Sequence, residues 1–396
     1  MGDDLILGAT LHELRRTVKD ANISILSNNP YETEKRHGGE VVLFSLEALS
    51  RQILLRFLAR FLRSFRRYLL PIPPDAFRRL ITCLRNTDLF LSLGGGYLND
   101  YSMFLTHFRL AELAVIGLLR RPLILYAHEI GPLHRVSLRA LARLALKFVT
   151  YASVRDESSF SVLADLGVAR QRLALTADAG WLYEPRTTWQ RKTRETRDGL
   201  VIALSLMPFQ VVANVDYWKS KKHLNPNSIN EELTSKIVAC LDFLPDRVKR
   251  IAFLSMSSGD IRLAKRLQEL LGQRVPVDIL SDLESQYSAL AISDILVGMR
   301  MHAIVMAAQM NVPPVALALL PKMRDLMNAL GLSENVAEAF PFETARYRDT
   351  LLRTLRARDK IRELLNTRVA DLRERAGLST RLVRALPMNR TKTTMC

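Results

Sequence analysis

Short apolar runs alternate with longer stretches of helical periodicity along most of the chain. This alternation is typical of βαβ units, in which crossover helices join parallel strands. The runs that predict strands lie at residues 23–27, 88–92, 123–127, 148–153, 173–177, 200–205, 249–255, 295–298 and 315–319. We therefore expect an α/β protein with parallel sheets.

The predicted strands fall into two groups, because residues 184–199 are polar, charged and without apolar periodicity. A chain of 396 residues is also long for a single core. We predict two Rossmann-like domains, at residues 1–185 and 200–340, whose strand carboxyl ends face a shared cleft. Ligands of such sheets bind outside those ends. The arginine-rich residues 341–396 are predicted to form a helical brace and tail.

Composition excludes several classes of protein. The net charge of +17 is typical of a protein that binds a polyanionic partner, or of one encoded by a genome that favours arginine. Few aromatic residues lie among the basic stretches, so we expect no nucleic-acid partner. No apolar run is long enough to span a bilayer and no signal peptide is visible, which predicts a cytoplasmic protein. Three distant cysteines and the lack of an HExxH motif predict neither a disulfide framework nor a metal site, and we expect no cofactor.

Residues 51–70 carry six arginines and no carboxylate. On a helical wheel Arg56, Arg60, Arg63 and Arg67 share one side, and apolar residues cover the other. A basic amphipathic helix of this kind can lie on an anionic membrane, here its inner face. The alternative is a helix that packs its apolar side on the sheet of its own domain. Both interpretations remain open.

Arg300 and His302 lie where the predicted strand at 295–298 meets a helix. Free N–H groups and the helix dipole favour an anion at such a junction. Arginine offers a planar fork for phosphate or carboxylate oxygens, and histidine can donate a hydrogen bond or move a proton. Lys322, after the next strand, would add positive charge on the same rim. The alternative is a helix-start pair that binds local carbonyl groups.

Three consecutive glycines, Gly94, Gly95 and Gly96, follow the predicted strand at 88–92 in "SLGGGYLND". Glycine lets the backbone approach a ligand closely and direct N–H groups at an anion. The dinucleotide fingerprint GxGxxG is incomplete, because Asn99 occupies its last position. We predict that this loop binds substrate; without a ligand it would be a tight strand-to-helix turn.

Further polar residues follow other strands of the first domain. His128 and Glu129 end one strand in "YAHEIGPLH", Arg155 follows the next in "SVRDESS", and Asp178 lies in "TADAGW". Their positions predict substrate contacts. The structural alternatives are a turn at the first site and an exposed Arg155–Asp156 pair at the second.

The order of "GDDLILGATLHELR", "DLFLSLGGGYLND", "HEIGP", "VRDESS", "LGV", "TADAGW" and "GMRMHAIVMAAQMNVPPVAL" resembles that of the polysaccharide pyruvyl transferase family. The resemblance covers about residues 2–335 and implies a GT-B-like architecture. It also implies an enzyme that uses phosphoenolpyruvate to build a pyruvate ketal on two sugar hydroxyls, with no cofactor. Arg300 and His302 match the family's R-x-H-A motif, associated with phosphoenolpyruvate binding and catalysis, and Arg155 matches its R-D-x-x-S segment.

The resemblance also assigns sides to the domains. Residues 200–340 would bind the donor anion, and residues 1–185 would bind a sugar acceptor, which can be lipid-linked. Gly2 and Asp3 match a Gly-Asp motif that a strand precedes in the family, so Asp3 is counted with the substrate-binding residues. The first strand is therefore expected to be missing, and the chain as given to be poorly soluble or inactive. His128 and Glu129 replace the family's usual residues before Ile-Gly-Pro.

Two other functions compete with pyruvyl transfer. A GT-B glycosyltransferase would place the diphosphate of a nucleotide sugar in the same anion site, with Asp282 or Glu284 near the ribose. A non-enzymatic basic protein that binds membrane or nucleic acid would explain the charge, but not the placement of Arg300 and His302.

Overall fold

A computed structural model describes residues 2–38, 40–59, 70–185, 199–209, 225–241, 243–244, 248–386 and 394–395. These residues form two compact units. The N-terminal unit comprises the described residues of Ile6–Leu182 and Arg375–Cys396, and the C-terminal unit those of Met1–Leu5 and Tyr183–Glu374. Most of the predicted linker at 184–199 lies outside the described residues. The tail that was predicted to be one brace is divided between the units after Glu374.

Parallel strands and intervening helices build the N-terminal unit. Its strands are β1 (Asn22–Ser27), β2 (Val41–Phe44), β3 (Phe90–Leu93), β4 (Leu123–His128), β5 (Tyr151–Val154) and β6 (Leu173–Leu175). Its helices are α1 (Gly2–Thr17), whose residues before Ile6 belong to the C-terminal unit, α2 (Pro30–Arg36), α3 (Leu46–Ala59), α4 (Ala76–Asn86), α5 (Met103–Gly117), α6 (Val136–Leu146) and α7 (Glu157–Asp165). Strands β3 to β6 pair in sequence order, and all three pairings are parallel.

The chain's tail contributes a strand that was not predicted. Thr394–Met395, β13, pairs in parallel with β1, and β2 pairs with the other edge of β1. The carbonyl of Thr394 also accepts a 2.9 Å hydrogen bond from the backbone N–H of Asp88, which precedes β3. Met395 is 1% exposed and packs in a core cluster with Ile23 and Leu89. The tail therefore supplies a strand to the unit predicted to lack one, and it is not wholly helical as expected.

The C-terminal unit contains one six-stranded sheet. Its strands are β7 (Leu200–Ser205), β8 (Val248–Leu254), β9 (Val277–Leu280), β10 (Ile295–Gly298), β11 (Pro314–Ala318) and β12 (Val336–Glu338). Its helices are α8 (Pro226–Leu241), α9 (Ile261–Leu271), α10 (Leu283–Ile292), α11 (Met301–Gln309), α12 (Pro321–Ala329), α13 (Thr344–Arg356) and the part of α14 (Arg358–Ala385) before Arg375.

The strands of this sheet are all parallel and lie in the order β12-β11-β10-β7-β8-β9. The order is that of a doubly wound Rossmann sheet. Strands β7 to β9 are added toward one edge and β10 to β12 toward the other, so the strand order reverses between β7 and β10. Ligands of such sheets bind beyond the strand carboxyl ends at that reversal. Every residue of β7, β10 and β11 is buried, because helices cover both faces of the central strands.

The predicted α/β class with two Rossmann-like parallel domains is confirmed, as are arginine-rich C-terminal helices. All nine predicted strands are present, with ends shifted by up to three residues. Strands β2, β9, β12 and β13 were missed. Within the described ranges, no helix has the length and apolarity needed to cross a bilayer. The basic segment 51–70 is described as part of α3 up to Ala59; Arg60, Arg63 and Arg67 lie outside the described residues, so its membrane contact stays a prediction.

Candidate active site

Arg300 lies at the strand-order reversal of the C-terminal sheet. It follows the buried strand β10 and the neighbouring residue Met299, whose N–H donates a 2.7 Å hydrogen bond to the carbonyl of Ser205 at the end of β7. Arg300 has an extended backbone and is the N-cap of α11, with its carbonyl bonded to the N–H of Ala303 at 3.1 Å. The predicted strand-to-helix junction is therefore present, and the residue that carries the guanidinium lies at a helix N-terminus.

Asp260 holds the Arg300 guanidinium. Its carboxylate is 0% exposed and forms an ion pair with Nη2 of Arg300, which also donates a 3.0 Å hydrogen bond to Oγ of Ser257. Asp260 further accepts from the N–H groups of Met256 and Ser257, at 3.0 and 3.1 Å, and from Oγ of Ser257 at 2.9 Å. These residues form the loop after β8. The guanidinium is 20% exposed, and its Nε has no hydrogen-bond partner among the described residues.

His302 lies in the first turn of α11 and is half-buried. Gly2, the first residue of α1, packs against its ring: a Cβ at position 2 would lie 2.5 Å from Nδ1. A side chain there would displace the imidazole, so glycine is needed for this close approach. Asp3 is exposed in the first turn of α1.

Lys322 lies in the first turn of α12, directly after β11, which neighbours β10 in the sheet. It is half-buried. Its predicted position after a strand carboxyl end is confirmed. Its contribution to an anion site stays a prediction, as does a substrate contact of Asp3.

Arg155 is the centre of a buried ion-pair cluster in the N-terminal unit. The side chains of Arg155 and Asp178 are each 6% exposed, and Nη1 of Arg155 lies 2.5 Å from Oδ2 of Asp178. Its Nη2 forms a second ion pair with Glu129. Asp156 caps α7 by accepting from the N–H of Ser159 at 2.7 Å, and its other oxygen lies 3.9 Å from Nε of Arg155. The alternative of an exposed Arg155–Asp156 pair is therefore wrong, because burial and two further carboxylates define this site.

His128 ends β4 and is buried. A register shift near Ala127, whose φ is 52°, turns the end of the strand. Nε2 of His128 lies 2.9 Å from the carbonyl of Ser92 and so carries a proton, because a carbonyl only accepts. The pKa of His128 is lowered to about 4, mainly by burial; the bond to Ser92 opposes this shift, and the charges of Arg109 and Arg155 add to it. The imidazole is therefore neutral near pH 7; its predicted substrate contact stays a prediction.

The glycine loop after β3 is shaped by contacts within the N-terminal unit. A Cβ on Gly94 would collide with the carbonyl of Ala127, and one on Gly95 would collide with the ring of Tyr97. Asn99 donates a 2.6 Å hydrogen bond to the carbonyl of Gly96 and accepts one of 2.9 Å from the N–H of Tyr101. These contacts explain the glycines and Asn99 as parts of a tight strand-to-helix turn, which was the alternative to substrate binding. Substrate binding by the loop stays a prediction.

A second group of charges, not found from the sequence, lies near this loop. Arg109 stacks over the ring of Tyr97 at 3.8 Å and pairs with the buried Glu47 at 2.8 Å. Glu112 accepts a 2.7 Å hydrogen bond from the N–H of Leu46 at the start of α3. The pKa of Glu112 is raised to about 7, mainly by burial; the bond from Leu46 opposes this shift, and the charge of Glu47 adds to it. Arg109 and Glu112 lie within α5, away from strand ends, and Glu47 follows β2, a strand that was not predicted. Strand-end reasoning could therefore not select these residues.

No group of three or more histidine, cysteine, aspartate or glutamate side chains that could hold a metal ion occurs in the part of the chain that the structure describes. Around Arg300 the structure places the hydroxyl of Ser257, the carboxylate of Asp260 and the N-terminus of α11, whose first turn contains His302.

Residues 1–320 match the family model described as polysaccharide pyruvyl transferase. The chain belongs to this family. The match includes the glycine loop, the Arg155 cluster and the Arg300–His302 junction, and it ends before Lys322. The sequence-based assignment is confirmed.

One curated relative is the amylovoran biosynthesis protein AmsJ of Erwinia amylovora, 21% identical over 286 residues. The aligned region covers 67% of this chain and spans 65% of the relative's length. The name of that relative assigns it to amylovoran biosynthesis.

Solved structures resemble the fold. Anabaena Alr3699/HepE, crystallised with UDP and glucose, has a TM-score of 0.57 and 14% identity, with 96% of this chain and 94% of that chain covered. The UDP-GlcNAc 2-epimerase of Neisseria meningitidis, bound to UDP-GlcNAc, has a TM-score of 0.53 and 12% identity, with 92% and 99% covered. At these identities the likeness is one of architecture: the GT-B-like class of two Rossmann-like domains is confirmed.

Proposed function

We propose that the protein is an enzyme that transfers the pyruvyl group of phosphoenolpyruvate to two hydroxyls of one sugar, forming a ketal. The sugar would belong to a polysaccharide or to its lipid-linked precursor. Membership of the pyruvyl transferase family supports the polysaccharide role, and the Arg300 site supports an anionic donor.

The partly exposed guanidinium of Arg300 carries the proposal. Asp260 and Ser257 both contact Nη2, and Nε is buried, so Nη1 is the nitrogen proposed to receive ligand oxygens. Asp260 balances the formal charge of Arg300, and attraction for a phosphate then comes from directed N–H groups and from the N-terminus of α11. Lys322 would add a positive charge for the carboxylate. A small dianionic or trianionic donor suits this arrangement.

The reaction balances without a further reactant. Protonation of the methylene carbon of phosphoenolpyruvate creates a cationic centre at C2, which the first sugar hydroxyl attacks with loss of its proton. The bond between C2 and the phosphate oxygen then breaks, and its electron pair leaves with phosphate. The second hydroxyl attacks C2 and loses its proton. One hydroxyl proton thus ends on the new methyl group and the other on phosphate.

His302 is proposed to move the proton to or from the methylene carbon. It lies two positions after Arg300 in the first turn of α11, so an anion bound by Arg300 would lie beside the imidazole. Positioned general acids and bases contribute about 10²–10⁴ in rate. Gly2, packed against the ring, would fix its orientation.

The N-terminal unit is proposed to contact the sugar. Glu129 and Asp178 are carboxylates, which accept hydrogen bonds from hydroxyls, and Arg155 holds both in place. We extend the proposal to Asn99 and His128 as neighbouring substrate contacts, and to the glycine loop. A lipid-linked acceptor would be consistent with contact between the basic segment 51–70 and a membrane surface.

Phosphate release tests the proposal. Purified protein is incubated with phosphoenolpyruvate and a panel of lipid-linked sugars that bear two neighbouring free hydroxyls, and the product is examined by mass spectrometry for an added pyruvate ketal. We expect release that depends on the acceptor, and a loss of about 10²–10³-fold in kcat/KM for Arg300→Ala. Arg324→Ala is the matched control, since Arg324 lies on α12 of the same unit and pairs with Glu338.

A nucleotide sugar is the competing donor, because HepE was crystallised with UDP and glucose. Release of UDP from UDP-glucose, with no acceptor-dependent phosphate from phosphoenolpyruvate, would favour a glycosyltransferase. If the folded protein has neither activity, both transferase functions are refuted.

A further inference from the structure

The loop after β8 contains a buried carboxylate for which the proposed chemistry has no direct use. Asp260 is 0% exposed and accepts four hydrogen bonds: from two backbone N–H groups, from Oγ of Ser257 and from Arg300. A buried charge is costly unless it is paired and hydrogen-bonded. Arg300 supplies the positive charge, and the loop supplies the remaining donors. Asp260 is thus fixed before any ligand binds.

The donors and acceptors in the hydrogen bonds among Arg300, Ser257 and Asp260 can be assigned. Oγ of Ser257 is within hydrogen-bond distance of both Arg300 and Asp260, at 3.0 and 2.9 Å. A guanidinium only donates and a carboxylate only accepts, so the hydroxyl proton points to Asp260 and its lone pair faces Arg300. Both residues hold the same nitrogen, Nη2. The guanidinium is anchored at Nη2 and its Nε is buried, so Nη1 is the nitrogen that would face a ligand.

We infer that Asp260 is a positioning residue, which together with Ser257 orients the Arg300 fork for an anionic donor. The inference rests on the proposed function of Arg300. An arginine side chain has many rotamers, and a fork that is already oriented loses less conformational freedom when a ligand binds. Asp260 does not touch the donor; it acts through Arg300.

Asp260→Asn removes the charge but keeps the size of the side chain. We expect kcat/KM for phosphoenolpyruvate to fall by about 10–100-fold, the range for loss of a hydrogen bond to a charged group. Ser257→Ala removes one anchor and should cost about 3–10-fold. Both losses should appear mainly as a raised KM, because the affected step is donor binding.

Matched controls come from the same unit. Asp371, on α14 of the same unit, is an exposed carboxylate with no proposed role in the site. Asp371→Asn should leave kcat/KM within about twofold, since removal of an exposed charge costs little. Ser258, the exposed neighbour of Ser257, gives the control Ser258→Ala.

Chemical rescue separates positioning from general structural support. In Arg300→Ala, free guanidinium at a low, non-denaturing concentration should bind against Asp260 and restore part of the turnover, with sodium chloride as the ionic-strength control. The double variant Arg300→Ala/Asp260→Asn should lose this rescue. Arg300→Ala/Asp371→Asn should keep it. A merely structural role of Asp260 would not make the rescue depend on residue 260.

The outcomes are distinct. Wild-type protein without turnover of phosphoenolpyruvate would refute the proposed function. Active wild type with Asp260→Asn and Ser257→Ala both within twofold would overturn this inference alone, as would equal rescue of the two double variants. If Asp260→Asn does not fold, as judged by circular dichroism and thermal unfolding, Ser257→Ala decides: a raised KM for the donor supports the inference, and an unchanged KM overturns it.

Discussion

Arg155 and Arg300 both follow a buried parallel strand, yet their surroundings differ. Arg155 is 6% exposed and pairs with Glu129 and Asp178, with Asp156 3.9 Å away. Arg300 is 20% exposed and pairs with Asp260. The first site therefore carries more carboxylate charge than arginine charge, whereas the second is balanced.

Both arginines lie at strand ends, so position alone does not distinguish their roles. Their surroundings do. An anion would meet carboxylates around Arg155, but at Arg300 it would meet a partly exposed guanidinium beside a helix N-terminus. The Arg155 cluster is suited to present carboxylate oxygens to hydroxyls, and the Arg300 site to receive phosphate or carboxylate. We accordingly expect substitutions at the two arginines to fail in different ways.

The largest effect is expected from Arg155→Ala. Removal of the guanidinium leaves the buried Asp178 and the half-buried Glu129 without their shared cation, which should lower the free energy of unfolding by about 3–5 kcal/mol. Urea unfolding measures it. The control Arg36→Ala breaks a pair with Glu32 on the exposed surface of α2 and should cost under about 1 kcal/mol. Similar losses for the two variants would contradict the buried-cluster account.

Glu112, another acidic group of the N-terminal unit, should make the stability of the protein depend on pH. Its folded pKa of about 7 lies above the ordinary value of 4.5. The folded state therefore keeps the proton longer, and this group's contribution to stability is full below pH 4.5 and falls as pH rises toward 7, by roughly 3 kcal/mol. Glu112→Gln should remove this fall, and exposed Glu157→Gln should not. Thermal unfolding from pH 5 to 8 tests it; parallel curves for wild type and Glu112→Gln would show that Glu112 ionises normally.

A smaller, purely kinetic effect is expected at the Arg300 site. His302→Gln should lower kcat by about 100-fold and leave KM for phosphoenolpyruvate within about threefold, if the imidazole moves a proton rather than binding the donor. Steady-state kinetics on folded variants measures both constants, with the exposed His134→Gln as control. A rise in KM with unchanged kcat would instead make His302 a binding residue.

Local patterns were sufficient to predict most strands and the residues at their ends. Arg300, His302, Arg155 and Asp178 could be selected because buried apolar runs precede them in the sequence. Partners could not be predicted in this way, because Asp260 is 40 positions from Arg300 and its loop has no charge pattern that indicates an arginine. Glu129 and Asp178 were each selected, but their joint pairing with Arg155 depends on the parallel order of β4, β5 and β6.

The missed strands have a similar cause. β13 has two residues and β12 has three, too few for an alternating pattern to be recognised. Pairing of the tail with β1 is a long-range contact that no local property encodes. Conversely, Gly94 was predicted to face a ligand, whereas the close approach of Ala127 already requires a glycine there.

Direct titration of phosphoenolpyruvate into the protein tests the central claim that Arg300, not Arg155, receives the anion. Calorimetry would compare wild type, Arg300→Ala and Arg155→Lys, a change that keeps a cation between Glu129 and Asp178. We expect Kd to rise about 100-fold for Arg300→Ala, equivalent to about 2.7 kcal/mol, and to stay within about threefold for folded Arg155→Lys. Unchanged affinity in Arg300→Ala together with lost affinity in Arg155→Lys would contradict the account.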